Sequence, residues 1–411
     1  MPSKSITNRA QIISFIAKLQ TGKKLKLSNI GECDDVHYLR EGLKKLSTKS
    51  PGKIHLGNAG TAVRFITTLA CCLNKEVVIT GEKRMKERPI KPLTDVLTQL
   101  DANLETNKGC PPINIKPSTL TGGKIKIPGN ISSQYITSLL LSSPLMQKGL
   151  TIQITGDLLS RPYIEMTIAL MKKCGIKVET SKNFRTIKIA PNQKYKPTQL
   201  QIEKDASSAS YLGEYAILKS IELQKPVKIT IKNLPKNSIQ GDIFFTEYLK
   251  KMGCHIKHTK DILEITGTPN PKPLGTIDMG QTPDLVMTFA VLAALIPETT
   301  TITNISTLKI KESDRIQALK NELTKLEVKV TTTKDQIKIT GQKSPKPLAN
   351  KRKTIDTYND HRIAMAFGVL KKTLLPKLTI KKPSVVRKSY PKFWADINKL
   401  NKTHKPNGKH N

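Results

Sequence analysis

The sequence has few acidic residues, few aromatic residues and no long apolar run. Its 411 residues include 32 acidic and 69 basic side chains, giving a net charge of +37, and aromatic residues make up 4%. The longest apolar stretch, residues 285–296, is shorter than the ~20 residues that a membrane span needs. The stretch at residues 12–17 is too short for a signal-peptide core. We therefore expect a soluble, cytoplasmic protein of two or three domains with no membrane partner.

Sequence motifs for metals, nucleotides and disulfides are missing as well. The six cysteines show no CxxC spacing, and the seven histidines form no HxxxH or HExxH pattern. These absences argue against a disulfide framework and a metal site. Neither GxGxxG nor GxxxxGK[ST] occurs, which argues against a dinucleotide enzyme and a P-loop ATPase. We expect reduced, buried thiols, no metal and no cofactor.

The positive charge has two interpretations. A basic surface can bind nucleic acid through its phosphates, but these lysines are spread along the whole chain and aromatic residues for base stacking are scarce. Abundant Lys, Ile and Asn are also what an AT-rich genome encodes at tolerant surface positions. We favour this compositional interpretation and expect no nucleic-acid partner, with a basic RNA-binding protein as an alternative.

One structural unit recurs six times along the chain. Each copy opens with a small polar cluster, an apolar helix and a short strand, and continues with a polar loop, an amphipathic helix and another strand. The openings begin at residues 4, 57, 130, 205, 282 and 359, and strands are predicted at 176–179 and 328–331, among others. This alternation predicts the α/β class.

Six such units are too many for one core, so we predict two domains of three units each. A Pro- and Lys-rich stretch at residues 191–197 precedes the fourth unit. The predicted domains are therefore residues 1–202 and residues 203–411. A second crossing between the domains is expected at the extreme N-terminus.

Each opening places Ser, Thr, Asn, Gly or Asp where it can cap a helix, and capping is all that one such start requires. Six starts together suggest more, because helix N-termini bind anions. Only eleven arginines occur among the many lysines. We therefore expect arginine at positions that need a bidentate donor to a carboxylate or a phosphate group. A cleft lined by these starts would bind substrates with several phosphate and carboxylate groups. The cations in question are Lys4, Arg9, Arg64, Arg84, Arg88, Lys311, Arg315, Arg362 and Lys388.

Asp284 and Glu312 are the two carboxylates that stand out in this basic setting. Pro283 favours a helix start at Asp284, where the alternative role is an N-cap. A carboxylate beside several cations stays ionised and can act as a base, whereas one in a drier setting can hold a proton. Two such groups could move protons in both directions without a metal.

Eight motifs occur in order: KSxxxR, GNAGTAxR, RMKERP, SSQ, DASSASY, PDxxMT, KESDR and YNDHRxAM. Together they closely resemble the 5-enolpyruvylshikimate-3-phosphate synthase (3-phosphoshikimate 1-carboxyvinyltransferase) family over nearly the whole chain. The resemblance implies an inside-out α/β barrel of two domains, each with three βαβαββ repeats, and an active site between them. It also implies transfer of the carboxyvinyl group of phosphoenolpyruvate to the 5-hydroxyl of 3-phosphoshikimate, on the shikimate pathway to chorismate and the aromatic amino acids.

The resemblance assigns site residues by position. Asp284 matches the general base for the 5-hydroxyl, Glu312 the group implicated in proton transfer at the methylene carbon, and Lys4 a catalytic residue that contacts both substrates. The implied contacts of 3-phosphoshikimate are Lys4, Ser5, Arg9, Ser132, Ser133, Gln134, Ser160, Tyr163, Asp284, Thr307 and Lys311. The implied contacts of phosphoenolpyruvate are Lys4, Asn58, Gly60, Arg88, Gln134, Arg315, His361, Arg362 and Lys388.

Three features depart from the family pattern. We expect no counterpart of the strand that family members usually have before Lys4, Thr307 stands where many members have Asn, and Phe65 replaces the Pro that often follows GTAxR. The enolpyruvyl transferase that acts on UDP-N-acetylglucosamine shares the implied fold, but that family uses a reactive loop cysteine in its own motif. It is therefore the second choice, and we expect a monomer that acts on two small-molecule substrates.

Overall fold

The computed structural model describes residues 1–342 and 352–404. The chain divides into two compact units. The N-terminal unit is Pro2–Ile202, and the C-terminal unit is Glu203–Asn411 together with Met1. Met1 is tied into the C-terminal unit because its carbonyl oxygen accepts a hydrogen bond of 2.9 Å from the Asp205 N–H. Among the described helices, none is both long and apolar enough to cross a membrane.

Helices and strands alternate along the N-terminal unit. Its helices are α1 Lys4–Thr21, α2 Asp34–Leu46, α3 Gly60–Cys72, α4 Lys91–Gln99, α5 Ser133–Ser142 and α6 Arg161–Lys173, with 3₁₀ turns at Arg84–Glu87 and Ser143–Leu145. Its strands are β1 Lys26–Ser28, β2 Gly52–His55, β3 Val77–Thr80, β4 Leu104–Asn107, β5 Cys110–Ile115, β6 Gly123–Pro128, β7 Leu150–Thr155, β8 Glu179–Thr180, β9 Thr186–Ile189 and β10 Gln199–Gln201.

The C-terminal unit has the same alternation. Its helices are α7 Ala206–Leu223, α8 Phe245–Lys251, α9 Val286–Ala294, α10 Arg315–Lys325, α11 His361–Lys372 and α12 Phe393–Thr403, with 3₁₀ turns at Gly241–Phe244, Pro283–Leu285, Ser306–Ile310 and Pro383–Lys388. Its strands are β11 Lys228–Lys232, β12 His255–His258, β13 Ile262–Thr266, β14 Thr276–Asp278, β15 Glu298–Thr303, β16 Lys329–Thr332, β17 Ile337–Gly341, β18 Thr354–Ile355 and β19 Thr379–Ile380.

The strands form separate sheets. Three βαβαββ repeats each make a four-stranded sheet, in the orders β2-β3-β5-β4, β6-β7-β9-β8 and β14-β15-β17-β16. In each of these the first two strands pair in parallel and the rest antiparallel, as a helical crossover followed by a hairpin requires. The other sheets are β11-β13-β12, β1-β10 and β18-β19. The α/β class is confirmed, but the strands of the described residues do not close into a barrel, because each repeat completes its own sheet.

The six predicted openings each lead into a helix, namely α1, α3, α5, α7, α9 and α11. The side chains of Ser3, Ser132, Asp205 and Asp360 accept hydrogen bonds from backbone N–H groups in the first turns of α1, α5, α7 and α11. In α9 every residue is buried, which explains its continuous apolar sequence. Local capping therefore accounts for where four of these six helices begin.

The prediction of a strand at residues 176–179 is mostly wrong, because strand β8 begins only at Glu179. The backbone N–H of Ile176 donates to the carbonyl oxygen of Met171 at the end of α6. The next residue, Lys177, exchanges two hydrogen bonds with the side chain of Gln193. The Gln193 amide thus occupies the backbone groups of Lys177 that a neighbouring strand would bind. The alternating apolar pattern of residues 176–179 therefore does not lead to strand pairing at this point.

Candidate functional site

In the N-terminal unit, the first helix places Lys4 against a buried carboxylate. Ser3 caps α1, and Lys4 is its first residue. The Lys4 Nζ lies 3.0 Å from Oδ2 of Asp35, and the side chains are 13% and 4% exposed. Asp35 lies in the first turn of α2, where the helix dipole favours a negative charge. Lys4 is thus held beside a partner that favours its charged form.

Arg9 is buried one turn further along α1 and joins three helices. Its Nη1 donates to the Ser5 carbonyl oxygen at 2.8 Å, and its Nη2 donates to the Tyr163 carbonyl oxygen at 3.1 Å. Nε and Nη2 also donate to the hydroxyls of Thr167 and Thr137, at 2.8 and 3.5 Å. Burial lowers the pKa of Arg9 to about 10, opposed by the Tyr163 hydroxyl. These bonds bring the starts of α1 and α6 together, whereas a contact of Arg9 with substrate stays a prediction.

Gly60 and Arg88 are in direct contact. A Cβ atom built on Gly60 would lie 2.7 Å from Nη1, 2.8 Å from Nη2 and 2.9 Å from Cζ of Arg88. Arg88 itself is 4% exposed. Only glycine leaves room for a guanidinium against the first turn of α3, and Asn58 lies two residues before that helix.

The start of α5 lies beside the start of α3. Ser132 caps α5, its Oγ accepting from the backbone N–H of Gln134 at 3.3 Å. The Gln134 side-chain amide donates to the Thr61 hydroxyl at 3.4 Å. Ser133 is buried on the same first turn. The Tyr135 hydroxyl donates to the Pro89 carbonyl oxygen at 2.6 Å, so the segment that carries Arg88 is also fastened to α5.

Ser160 occupies the cap position of α6 in a left-handed conformation, with φ 56° and ψ 30°. Such a backbone is uncommon for a residue other than glycine and is found where the surroundings hold it in place. Ser160 is 5% exposed, and its carbonyl oxygen accepts from the Tyr163 N–H at 3.1 Å. The N-terminal unit therefore brings the predicted residues of α1 and α6 together, and those of α3, α5 and the Arg88 loop.

In the C-terminal unit, Arg315 is the centre of an ion-pair network. Its Nη1 donates to Asp284 Oδ1 at 3.0 Å, and its Nη2 donates to Glu312 Oε2 at 3.0 Å. Asp360 binds the edge of the guanidinium formed by Nε and Nη2, with Oδ2 2.8 Å from Nε and Oδ1 3.3 Å from Nη2. Burial alone lowers the pKa of Arg315, but Asp360, Glu312 and Asp284 outweigh it and raise the pKa above its ordinary value. Arg315 therefore stays charged and separates the carboxylates.

Two further cations complete the network. Arg362 Nη2 donates to Asp284 Oδ2 at 2.6 Å, and Lys388 Nζ lies 3.6 Å from Glu312 Oε1. Asp284 thus lies between two arginines with its side chain 19% exposed, whereas Glu312 lies between an arginine and a lysine at 10%. In the parts of the chain that the structure describes, no three His, Cys, Asp or Glu side chains are grouped so as to hold a metal ion.

Three further residues of this unit were predicted as site residues: Thr307, Lys311 and His361. Thr307 is buried in the 3₁₀ turn Ser306–Ile310, and the half-buried Lys311 follows that turn directly. His361, the first residue of α11, is buried with Nδ1 3.6 Å from Asp360 Oδ1.

Asp35 and Asp360 were not predicted as partners of site residues. Asp360 lies inside the YNDHRxAM motif and follows the capping pattern, which indicated its helix start. Nothing near Asp360 in the sequence points to Arg315, because the two residues are 45 positions apart. The same holds for Asp35 and Lys4, which come from different helices.

Known proteins resemble this chain in fold and in sequence. An EPSP synthase from Acinetobacter baumannii superposes with a TM-score of 0.70 at 20% identity, over 97% of this chain and 94% of that one. This places the chain in the enolpyruvyl transferase fold class. The family model for EPSP synthase (3-phosphoshikimate 1-carboxyvinyltransferase) matches residues 47–397.

Relatives of known name match over almost the full chain. A 3-phosphoshikimate 1-carboxyvinyltransferase from Colwellia psychrerythraea is 36% identical, over 96% of this chain and 94% of its own length. One from Actinobacillus pleuropneumoniae is 37% identical, over 97% and 94%. The chain therefore belongs to the EPSP synthase family.

Proposed function

We propose that this protein transfers the carboxyvinyl group of phosphoenolpyruvate to the 5-hydroxyl of 3-phosphoshikimate and releases phosphate. The observation that carries the proposal is the pair of carboxylates, Asp284 and Glu312, on the two terminal nitrogens of one buried arginine. Addition followed by elimination needs one group that accepts a proton and one that delivers a proton. Family membership supplies the substrates, and the reaction lies on the shikimate pathway to the aromatic amino acids.

The first step joins the two substrates. The protonated carboxyl group of Glu312 donates its proton to the methylene carbon of phosphoenolpyruvate, which makes C2 electrophilic. The 5-hydroxyl attacks C2 as Asp284 accepts its proton, which gives a tetrahedral intermediate that still carries the phosphate. Asp284 is suited to this role because Arg315 and Arg362 both bind its ionised form.

The second step reverses the proton transfer. The Glu312 carboxylate takes a proton from the new methyl group, the double bond forms again, the C2–O bond to phosphate breaks, and the proton held by Asp284 passes to the departing phosphate. Negative charge stays on phosphate and carboxylate oxygens throughout, so the site needs fixed cations. We assign this role to Lys4, Arg88, Arg315, Arg362 and Lys388, with Asn58, Gly60, Gln134 and His361 as further contacts of phosphoenolpyruvate.

We assign the contacts of 3-phosphoshikimate from the family motifs. Ser132, Ser133 and Gln134 offer hydroxyl and amide groups at the start of α5, where backbone N–H groups also favour an anion. Lys4, Ser5, Arg9, Ser160 and Tyr163 come from the starts of α1 and α6, and Asp284, Thr307 and Lys311 come from the C-terminal unit.

A phosphate-release assay tests the proposal. The protein should release phosphate only when phosphoenolpyruvate and 3-phosphoshikimate are both present. Release with UDP-N-acetylglucosamine in place of 3-phosphoshikimate would favour the second enolpyruvyl transferase. No release with either acceptor, together with salt-sensitive RNA binding, would favour the RNA-binding alternative.

We also propose that the protein works as a cytoplasmic monomer without a cofactor or a nucleic-acid partner. The even spread of lysine along the chain supports the absence of a dedicated nucleic-acid surface. Sedimentation equilibrium in the presence of both substrates should give the mass of a single chain, and a multiple of that mass would contradict the monomer.

Arg88→Lys is expected to lower kcat/KM for phosphoenolpyruvate by about 10- to 100-fold, the equivalent of one or two lost charge-assisted hydrogen bonds. Lysine keeps the charge but not the planar pair of donors. Arg185→Lys is the control, because Arg185 is an exposed arginine that donates to the carbonyl oxygen of Gly156. Steady-state kinetics should show little change for the control, and equal losses in the two variants would contradict the role of Arg88.

Gly60→Ala is expected to raise KM for phosphoenolpyruvate by roughly 10-fold, because the new methyl group displaces the Arg88 guanidinium. The helix itself should tolerate alanine. In an Arg88→Lys background the same substitution should cost less, since the guanidinium is already gone. Additive losses in this double-mutant cycle would show that the methyl group acts elsewhere.

A further inference from the structure

Asp360 stands out among the buried groups to which the proposed reaction gives no part. Its side chain is fully buried and accepts four hydrogen bonds. Two come from Arg315, one comes from the Ser313 hydroxyl at 3.0 Å, and one comes from the Arg362 backbone N–H at 2.9 Å. A buried carboxylate is stable only when its oxygens are satisfied in this way. Asp360 is therefore bonded on every side within the C-terminal unit.

The geometry of Arg315 depends on this carboxylate. A guanidinium is a rigid plane with donors on three edges. Because Asp360 binds the edge formed by Nε and Nη2, the other donors of Nη1 and Nη2 are directed to Asp284 and Glu312. Rotation of the plane would break at least one of these pairs. Asp360 thus determines which nitrogen faces which carboxylate.

Asp360 also fixes the second arginine of the network. It is the N-cap of α11, and its Oδ1 accepts from the backbone N–H of Arg362. The side chain of Arg362 donates to Asp284 from the same first turn. One carboxylate therefore holds both arginines that bind Asp284.

We infer that Asp360 is a positioning residue that orients Arg315 and Arg362 so that Asp284 and Glu312 are held apart for their separate proton transfers. The inference rests on the proposed function. Asp360 itself has no contact with the reacting atoms in this assignment. Its effect is on the geometry of groups that do, and small displacements of such groups reduce rates strongly.

The test compares two substitutions with a matched control. Asp360→Asn keeps one acceptor oxygen for the helix cap but removes the charge and one acceptor for Arg315. Ser313→Ala removes a single bond to Asp360 and is the milder variant, should Asp360→Asn fold poorly. Glu322→Gln is the control, because Glu322 is an equally buried carboxylate on α10 whose partners are Lys325, Tyr358 and Asp356.

Single-turnover phosphate release, with enzyme in excess over 3-phosphoshikimate, gives a rate constant that does not depend on the fraction of folded protein. We expect this rate constant to fall at least ~10-fold for Asp360→Asn and ~3-fold for Ser313→Ala, with KM for both substrates changed less than the rate. Glu322→Gln should keep the wild-type rate constant. Wild-type rates in both test variants would overturn the inference, as would an equal loss in Glu322→Gln. Absence of phosphate release by the wild-type chain would instead refute the proposed function.

Discussion

Asp284→Asn is expected to lower kcat by about 10³-fold, within the range for loss of a general base. Asparagine has the same shape and keeps an oxygen for Arg315 or Arg362, but it cannot take the proton of the 5-hydroxyl. KM values should change little, because the cations that bind phosphate and carboxylate groups are still present. Steady-state phosphate release with both substrates measures the loss.

The control for this variant is Asp278→Asn. Asp278 is an exposed carboxylate of the same unit that accepts from Gly280 and Asn304. Its replacement should leave kcat unchanged. Trp394, the single tryptophan, lies on α12 and reports the folding of the C-terminal unit through its fluorescence. Substantial turnover in a well-folded Asp284→Asn protein would remove the assignment of Asp284 as the base.

Glu214→Met is expected to stabilise the C-terminal unit by about 1–3 kcal/mol at pH 8, the range for an unsatisfied buried polar group. Glu214 is fully buried on α7, and among the described residues neither of its oxygens has a hydrogen-bond partner. Burial raises the pKa of Glu214 well above its ordinary value of 4.5. Methionine has a similar size and no polar group to desolvate.

The pH dependence follows from the direction of this shift. Above the ordinary pKa the unfolded chain has lost the Glu214 proton while the folded chain keeps it, so stability falls as pH rises until the folded pKa is reached. The stability of the methionine variant lacks this dependence on pH. Urea unfolding followed by Trp394 fluorescence should therefore show that Glu214→Met raises the free energy of unfolding over the wild type by more at pH 8 than at pH 5.

Glu222→Gln gives a contrast on the same helix. Glu222 pairs with the buried Lys219 at 2.9 Å, so its loss leaves a buried ammonium without a charged partner and should destabilise the unit. A Glu214→Met protein no more stable than the wild type at pH 8 would contradict the cost assigned here to the buried Glu214 carboxyl group.

The sequence by itself was sufficient for the helix starts and for the family. Ser132, Asp205 and Asp360 accept backbone hydrogen bonds where the capping pattern placed them, and the cap of the first helix, Ser3, lies one residue before the predicted opening. Capping joins groups only two or three residues apart, and helix periodicity spans a few turns, so a linear sequence records both. The eight ordered motifs were enough for the family.

The tertiary structure alone decided which groups meet. The pairs Arg315–Asp360 and Lys4–Asp35 join different helices, and the sequence around each residue does not name its partner. Burial of Glu214 follows from packing on all sides of α7, whereas a glutamate by its residue type would suit an exposed position. The absence of a strand at residues 176–178 has the same origin, because the Gln193 side chain makes hydrogen bonds with the backbone of Lys177. Contacts between distant residues depend on how the helices and sheets pack, and that packing is a property of the whole unit.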